Sequence, residues 1–144
     1  MHWTVTNNIT KQIPAMNPVE MDFEKAGGLI TAVVQDYQSG EVLQVSYMNP
    51  ESFALTRQTG RMHYFSRTRN KLWMKGEQSG HFQEVVETLV DCDLDALVFK
   101  IRQIGGAACH TGYRSCFHRR LEAGGNLITI EKEKVFDPAQ VYKA

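Results

Sequence analysis

Apolar positions in this chain come in short blocks of strand length, separated by turn residues. Residues 29–36 (LITAVVQD) and 41–48 (EVLQVSYM) are rich in β-branched and aromatic side chains and predict two strands. Gln38-Ser39-Gly40 between them is a turn signal, so the pair reads as a hairpin. Asn49-Pro50-Glu51 supplies a capping side chain, a proline for the first turn and an acid for the positive end of the helix dipole. With Phe53, Ala54 and Leu55 as an apolar side and Gly60 as a stop, a short helix is predicted at 50–59. Residues 61–66 and 71–75 predict a second hairpin around Arg67-Thr68-Arg69-Asn70, followed by a loop from Gly76 to Gly80. The stretch 82–92 fits strand or helix, and Val-rich 85–90 favours strand. A strand at 96–104, a glycine- and cysteine-bearing loop at 105–118 and an alternating strand at 126–132 complete the pattern. The expectation is a compact α+β domain, mainly β, of antiparallel or mixed strands with few short helices. Residues 1–17 are polar and patternless and read as a loose N-terminal arm, with the domain at 18–144.

Composition narrows the partners. Sixteen basic and sixteen acidic side chains give a formal net charge of zero, so no global field draws the protein to nucleic acid or an acidic membrane. No run of eighteen apolar residues and no secretory leader pattern is present. An odd count of three cysteines without secretory context predicts reduced thiols and a cytoplasmic protein.

The cysteines are Cys92, Cys109 and Cys116. Six residues separate the last two, wider than a zinc-finger knuckle, but Gly105, Gly106, Ala107, Ala108 and Gly112 let such a loop fold back. Three protein ligands leave a position open for water, the pattern of catalytic rather than structural zinc. On spacing alone, three small buried hydrophobes is an equal reading. His110 beside Cys109 would close the shell if it were a fourth ligand; otherwise it is a proton carrier that titrates near neutrality.

Asp91-Cys92-Asp93-Leu94-Asp95 is the most unusual string. In an extended chain the three aspartates would share a face at a spacing of roughly 7 Å. Each neighbouring pair would repel by about 2 kcal/mol at an effective dielectric near 20. A divalent cation removes that penalty, and carboxylates suit magnesium as thiolates suit zinc. A solvated acidic turn is the plainer alternative. An EF-hand would require Gly and Glu where Ala96 and Arg102 stand, so it is rejected.

Residues 63–81 (HYFSRTRNKLWMKGEQSGH) interleave Arg67, Arg69, Lys71 and Lys75 with Tyr64, Phe65 and Trp73. Such cations can hold phosphates, an aromatic face can take a base, and the Gly76–His81 loop offers Ser79 and His81 to a further anion. A hairpin with a charged outer and an aromatic inner face would give the same pattern.

The strings DCDLDA (91–96), GGAACHTGYRSCF (105–117), VSYMNPES (45–52) and HYFSRTRNKLWMKGEQSGH (63–81) together resemble the phosphoribosyl-AMP cyclohydrolase family, over about residues 29–118. The resemblance implies a hydrolase of histidine biosynthesis that opens the adenine ring of phosphoribosyl-AMP. It implies Cys92, Cys109 and Cys116 as ligands of one zinc per subunit and Asp91, Asp93 and Asp95 as magnesium ligands. It further implies an intertwined homodimer, with Cys92 from one subunit and Cys109 and Cys116 from the other. His110 becomes the candidate general base; Arg67, Arg69, Lys71, Trp73, Lys75, Ser79, His81 and Arg114 become candidate substrate contacts. Phe65 and Gln78 depart from the family pattern at positions that are not ligands. Twenty-four residues after Arg120 are too few for the pyrophosphohydrolase domain that some relatives fuse there, so a monofunctional enzyme is expected.

Two rivals make different demands. A zinc nucleobase deaminase requires H-x-E and P-C-x-x-C strings, and neither occurs. A non-catalytic zinc module for RNA or protein requires a closed metal shell and, for RNA, a basic field.

Overall fold

The structure, a computed structural model, describes residues 20–131 and 133–141; the expected arm at 1–17 lies outside the described residues. Its frame is a four-stranded sheet built from two hairpins. Strands β1 (Ile30–Asp36) and β2 (Val42–Met48) form the first, and β5 (Gln83–Val90) and β6 (Ala96–Gln103) the second. The hairpins join through a parallel pairing of β1 with β6, giving the order β2-β1-β6-β5. Helix α1 (Pro50–Thr59) and the hairpin of β3 (His63–Ser66) with β4 (Lys71–Met74) lie between the two halves in sequence. The α+β, mainly β expectation holds, and the antiparallel pairs outnumber the parallel one in this sheet.

Period-2 alternation sets the core. Ile30, Ala32 and Val34 of β1 are buried, as are Leu97, Phe99 and Ile101 of β6, and the register puts Ala32 beside Leu97 and Val34 beside Phe99. Leu43, Met48, Met62 and Tyr64 complete the cluster.

The helix forms where the caps predict it. The Asn49 side chain accepts from Ser52 N–H at 2.8 Å, and Ser52 Oγ accepts from Asn49 N–H at 2.9 Å. Gly60 ends the helix in the left-handed region at φ 75°. The buried side of α1 is polar: Thr56 Oγ1 donates to Ser52 O at 2.9 Å and accepts from His63 N–H at 2.9 Å, docking the helix on β3.

A polar network also crosses the core. Fully buried Gln83 accepts from Tyr64 Oη at 2.5 Å and donates to Gln44 at 3.0 Å and Gln103 at 2.8 Å. Gln83→Leu is therefore expected to destabilise by about 2–4 kcal/mol, because it leaves several buried polar groups unpaired. A chemical denaturation midpoint within error of wild type would contradict this.

The last predicted strand, 126–132, is shorter and has a partner that the pattern did not reveal. β8 (Leu127–Thr129) pairs with β7 (Arg119–Leu121), both exposed throughout. Three residues reading Arg-Arg-Leu carry no alternation; the hairpin is set by its turn, where Glu122 N–H donates to Asn126 O at 2.8 Å. The one-turn helix α2 (Pro138–Val141) was likewise not predicted. No helix among the described residues is long and apolar enough to cross a membrane.

Candidate active site

The loop after β6 folds back on itself as its small residues allow. Ala108 N–H donates to Arg114 O at 2.9 Å and Cys109 N–H to Tyr113 O at 3.1 Å, making a short ladder. Gly112 closes its end at φ 100°, against the backbone of Phe136 where a Cβ would not fit. Ala107 and Ala108 are buried, and Cys109 is 5% exposed. The other arm is tied to β2: Cys116 N–H donates to Leu43 O at 2.8 Å and Ser115 Oγ to Val42 O at 2.8 Å. The consequence is that the Cys109 and Cys116 thiols face each other. Burial, then the neighbouring Cys109 thiol, pushes the Cys116 thiol up to about 12, against the pull of Lys75. Two soft sulfur donors facing each other suit a thiophilic cation, so the donor pair fits zinc. His110 stands exposed at the tip of this ladder.

Cys92 is not gathered with the other two. It is exposed on the turn between β5 and β6. Among the described residues, a cluster of three possible metal-binding side chains forms at Asp91, Asp93 and Asp95, with ligand oxygens all within 4.8 Å of one another.

That cluster corrects the extended geometry expected from the sequence. Asp91–Asp95 is a tight turn with Leu94 in the left-handed region at φ 66°, and Asp91 Oδ1 accepts from the N–H groups of Asp95 and Ala96 at 3.1 and 3.3 Å. The three carboxyls converge because the turn curls around Asp91. Desolvation works against ionising Asp91, but those N–H donors hold its pKa below the ordinary value. Sharing a hydrogen bond with Asp91, and then desolvation, raises Asp95. The Lys25 ammonium reaches in, 3.2 Å from Asp93 and 4.0 Å from Asp95. A side-chain cation drawn to the carboxylates, and hard oxygen donors, fit a divalent ion such as magnesium.

The candidate substrate contacts divide. Arg67, Arg69 and Lys71 are exposed on the β3–β4 hairpin. Arg67 lies over the Tyr47 ring at 4.2 Å. A cavity of about 440 Å³ is lined by Gly27, Leu29, Thr31, Tyr47, Arg67 and Asp95. A second of about 240 Å³, sharing Tyr47 and Arg67, is lined by Phe65, Ser66 and Trp73. Trp73 is half-buried against Tyr64, with ring centres 5.1 Å apart. Ser79 Oγ accepts from His81 N–H at 3.1 Å, and the His81 ring packs edge-on against Phe136 at 4.9 Å.

Two expected contacts are engaged inside the protein. The Arg114 guanidinium is held by Glu41 at 2.8 Å and Asp36 at 3.2 Å, pinning the cysteine loop to the first hairpin. Lys75 is 6% exposed and donates through Nζ to Ala108 O, away from the surface cations. Tyr47, Lys25 and Glu131, whose carboxylate accepts from Arg114 N–H at 2.7 Å, were missed by the sequence reading. No spacing signal marks them, since each meets the site through tertiary packing.

The sequence profile of the phosphoribosyl-AMP cyclohydrolase family matches residues 44–118, which include the paired thiols, the aspartate turn and the basic hairpin. Curated relatives extend the likeness. The Pelobacter propionicus phosphoribosyl-AMP cyclohydrolase is 56% identical over 126 residues, covering 87% of this chain and 98% of the relative. This chain belongs to the phosphoribosyl-AMP cyclohydrolase family. The cyclohydrolases of Desulfotalea psychrophila and Geobacter sulfurreducens are 57% and 54% identical over 125 residues each, covering 86% and 87% of this chain and 97% and 98% of those relatives. As a cyclohydrolase family member it carries its distinctive residues on two turns, one after β5 and one after β6, which a single copy leaves apart.

Proposed function

We propose that this chain hydrolyses the N1–C6 bond of the purine ring of 1-(5-phosphoribosyl)-AMP, the third step of histidine biosynthesis, as a cytoplasmic homodimer whose metal sites span two copies. The observation that carries the reading is the Cys109–Cys116 thiol pair beside exposed His110, in a chain 54–57% identical to named cyclohydrolases.

Cys109 and Cys116 of one copy and Cys92 of another would hold the zinc, with one ion per subunit. When bound, zinc supplies a nucleophile by lowering the pKa of water. Water adds to C6, the N1–C6 bond breaks, N1 leaves with a proton, and the oxygen remains as that of a carboxamide. Three thiolates on a divalent ion sum to minus one, a weaker Lewis acid than a three-histidine site. Help with proton removal would therefore be required, and His110, exposed next to Cys109, is the candidate for it. His110→Ala is expected to lower kcat at least about 10²-fold while zinc stays bound. Near-normal turnover in the zinc-loaded variant would reassign the base.

The two cavities support a place for the substrate. Arg67 borders both, and Asp95 borders the larger, so a magnesium ion on Asp91, Asp93 and Asp95 and the Arg67 guanidinium could hold one phosphate together. Trp73 and Phe65 would form the wall for the ring, and exposed Arg69 and Lys71 on the same hairpin would be the candidates for the second phosphate. Ser79 and His81 are the remaining candidates on the following loop. The neutral net charge disfavours a nucleic-acid partner, and cytosolic reduction would keep the thiols available.

Pairing is supported by the sheet edge. β5, an edge strand of the four-stranded sheet, presents Val86, Leu89 and Val90 at 48, 44 and 43% exposure immediately before Cys92. An unpaired apolar edge is costly in an isolated copy and invites a partner.

The test is direct. Purified protein is offered phosphoribosyl-AMP, and the opened-ring product is followed by absorbance and mass spectrometry, with and without a chelator. Product formation abolished by the chelator and restored by zinc supports the reading; no product with zinc and magnesium present rejects it.

A further inference from the structure

Lys75 was expected among the phosphate contacts, and its position suggests different work. It follows β4, where its N–H donates to Met62 O at 3.0 Å, so its backbone is fixed by the β3–β4 hairpin. The side chain runs inward and its ammonium donates to the carbonyl of Ala108, the residue before Cys109. A buried lysine normally has a carboxylate partner. Among the described residues no Asp or Glu forms an ion pair with Lys75. Burial lowers its pKa, while Cys116 and then Cys109 act in the opposite sense, so the two sulfurs lie within its electrostatic reach.

We propose that Lys75 is a positioning residue of the metal centre: its ammonium offsets the charge of the thiolate-held ion and fixes the Ala108–Cys109 peptide that presents one thiolate. This rests on the zinc reading above. With three thiolates, a divalent ion and one ammonium, the inner assembly sums to zero rather than minus one. The sulfurs donate less to the metal, and the metal polarises water more. Lysine suits the task because its ammonium is a compact point charge on a flexible stem.

The experiment compares Lys75→Met and Lys75→Gln with wild type. Zinc affinity is measured by competition with a chromophoric chelator, and the sulfur-to-metal charge-transfer band is recorded on the cobalt-loaded proteins. Both variants should bind zinc roughly 10- to 100-fold more weakly, the range for losing an outer partner of a metal ligand. Their cobalt band should move to longer wavelength as the sulfurs regain donor strength. Glutamine separates charge from tether: it can donate to Ala108 O but is neutral, so recovery of wild-type affinity by Lys75→Gln would overturn the charge role. Wild-type affinity with an unshifted band in Lys75→Met would overturn the proposal altogether. Thr56→Val, which removes buried hydrogen bonds between α1 and β3, should keep wild-type zinc affinity, separating the effect from general destabilisation. If circular dichroism shows that neither neutral variant folds, Lys75→Arg decides. Retained zinc with a wild-type cobalt band supports the charge role, and loss of zinc from folded protein overturns it. Wild-type protein that binds no zinc would instead sink the metal reading, whatever Lys75 does.

Discussion

Cys109→Ser is expected to abolish zinc binding and to lower turnover of phosphoribosyl-AMP at least about 10³-fold, because under the proposed mechanism it would remove the nucleophile's activator rather than a contact. A serine hydroxyl does not ionise near neutrality and is a harder donor than sulfur, so it replaces the shape of cysteine without its affinity for zinc. The local fold should survive. Cys109 is held by its own N–H bond to Tyr113 O and by Ala108 N–H to Arg114 O, backbone contacts that serine keeps. Its sulfur already lies 2.8 Å from Thr111 Oγ1, so a hydroxyl there has a partner. Metal analysis should therefore fall from about one zinc per chain to near zero, with an unchanged far-ultraviolet circular dichroism spectrum. Stoichiometric zinc in folded Cys109→Ser would show that this thiol is not a ligand.

The parts of this fold that alternate or cap are legible in the amino-acid pattern alone. The β1–β2 and β3–β4 hairpins and helix α1 follow from period-2 patterning and from Asn49, Pro50 and Gly60, whose effects are local. The parallel β1–β6 pairing is not legible, because it joins segments some sixty residues apart through a shared apolar face that either direction of pairing would bury. The aspartate turn shows a subtler limit. Its residue types point to a candidate cation site, but the extended geometry read for it was wrong, since Leu94 takes a left-handed conformation that leucine rarely adopts. Among the cations, residue type alone makes Arg67, Lys75 and Arg114 alike. Packing separates them: Arg67 faces a cavity, Arg114 is neutralised by Glu41 and Asp36, and Lys75 is turned beneath the cysteines. Charge is written in the sequence, but direction is decided by the backbone that carries it.

The separation of Cys92 from Cys109 and Cys116 leads to a prediction that a one-copy site cannot meet. Cys92→Ala and Cys109→Ala chains, each inactive alone, should regain activity when mixed and allowed to exchange subunits. In the proposed two-fold dimer each site would take one turn after β5 and one loop after β6 from different copies. Random assortment puts half of the dimers in the mixed form, and in each of these one site collects both defects while the other collects none. Recovery should therefore approach about a quarter of wild-type activity, with zinc content rising in the same proportion. If all three thiols came from one copy, each chain in the mixture would keep its own defect and activity would stay at background. The measurement is turnover against mixing ratio, with exchange verified by native mass spectrometry of differently tagged chains. Exchange without recovery would remove the shared site, and would leave Cys92 exposed on its turn without the task proposed for it.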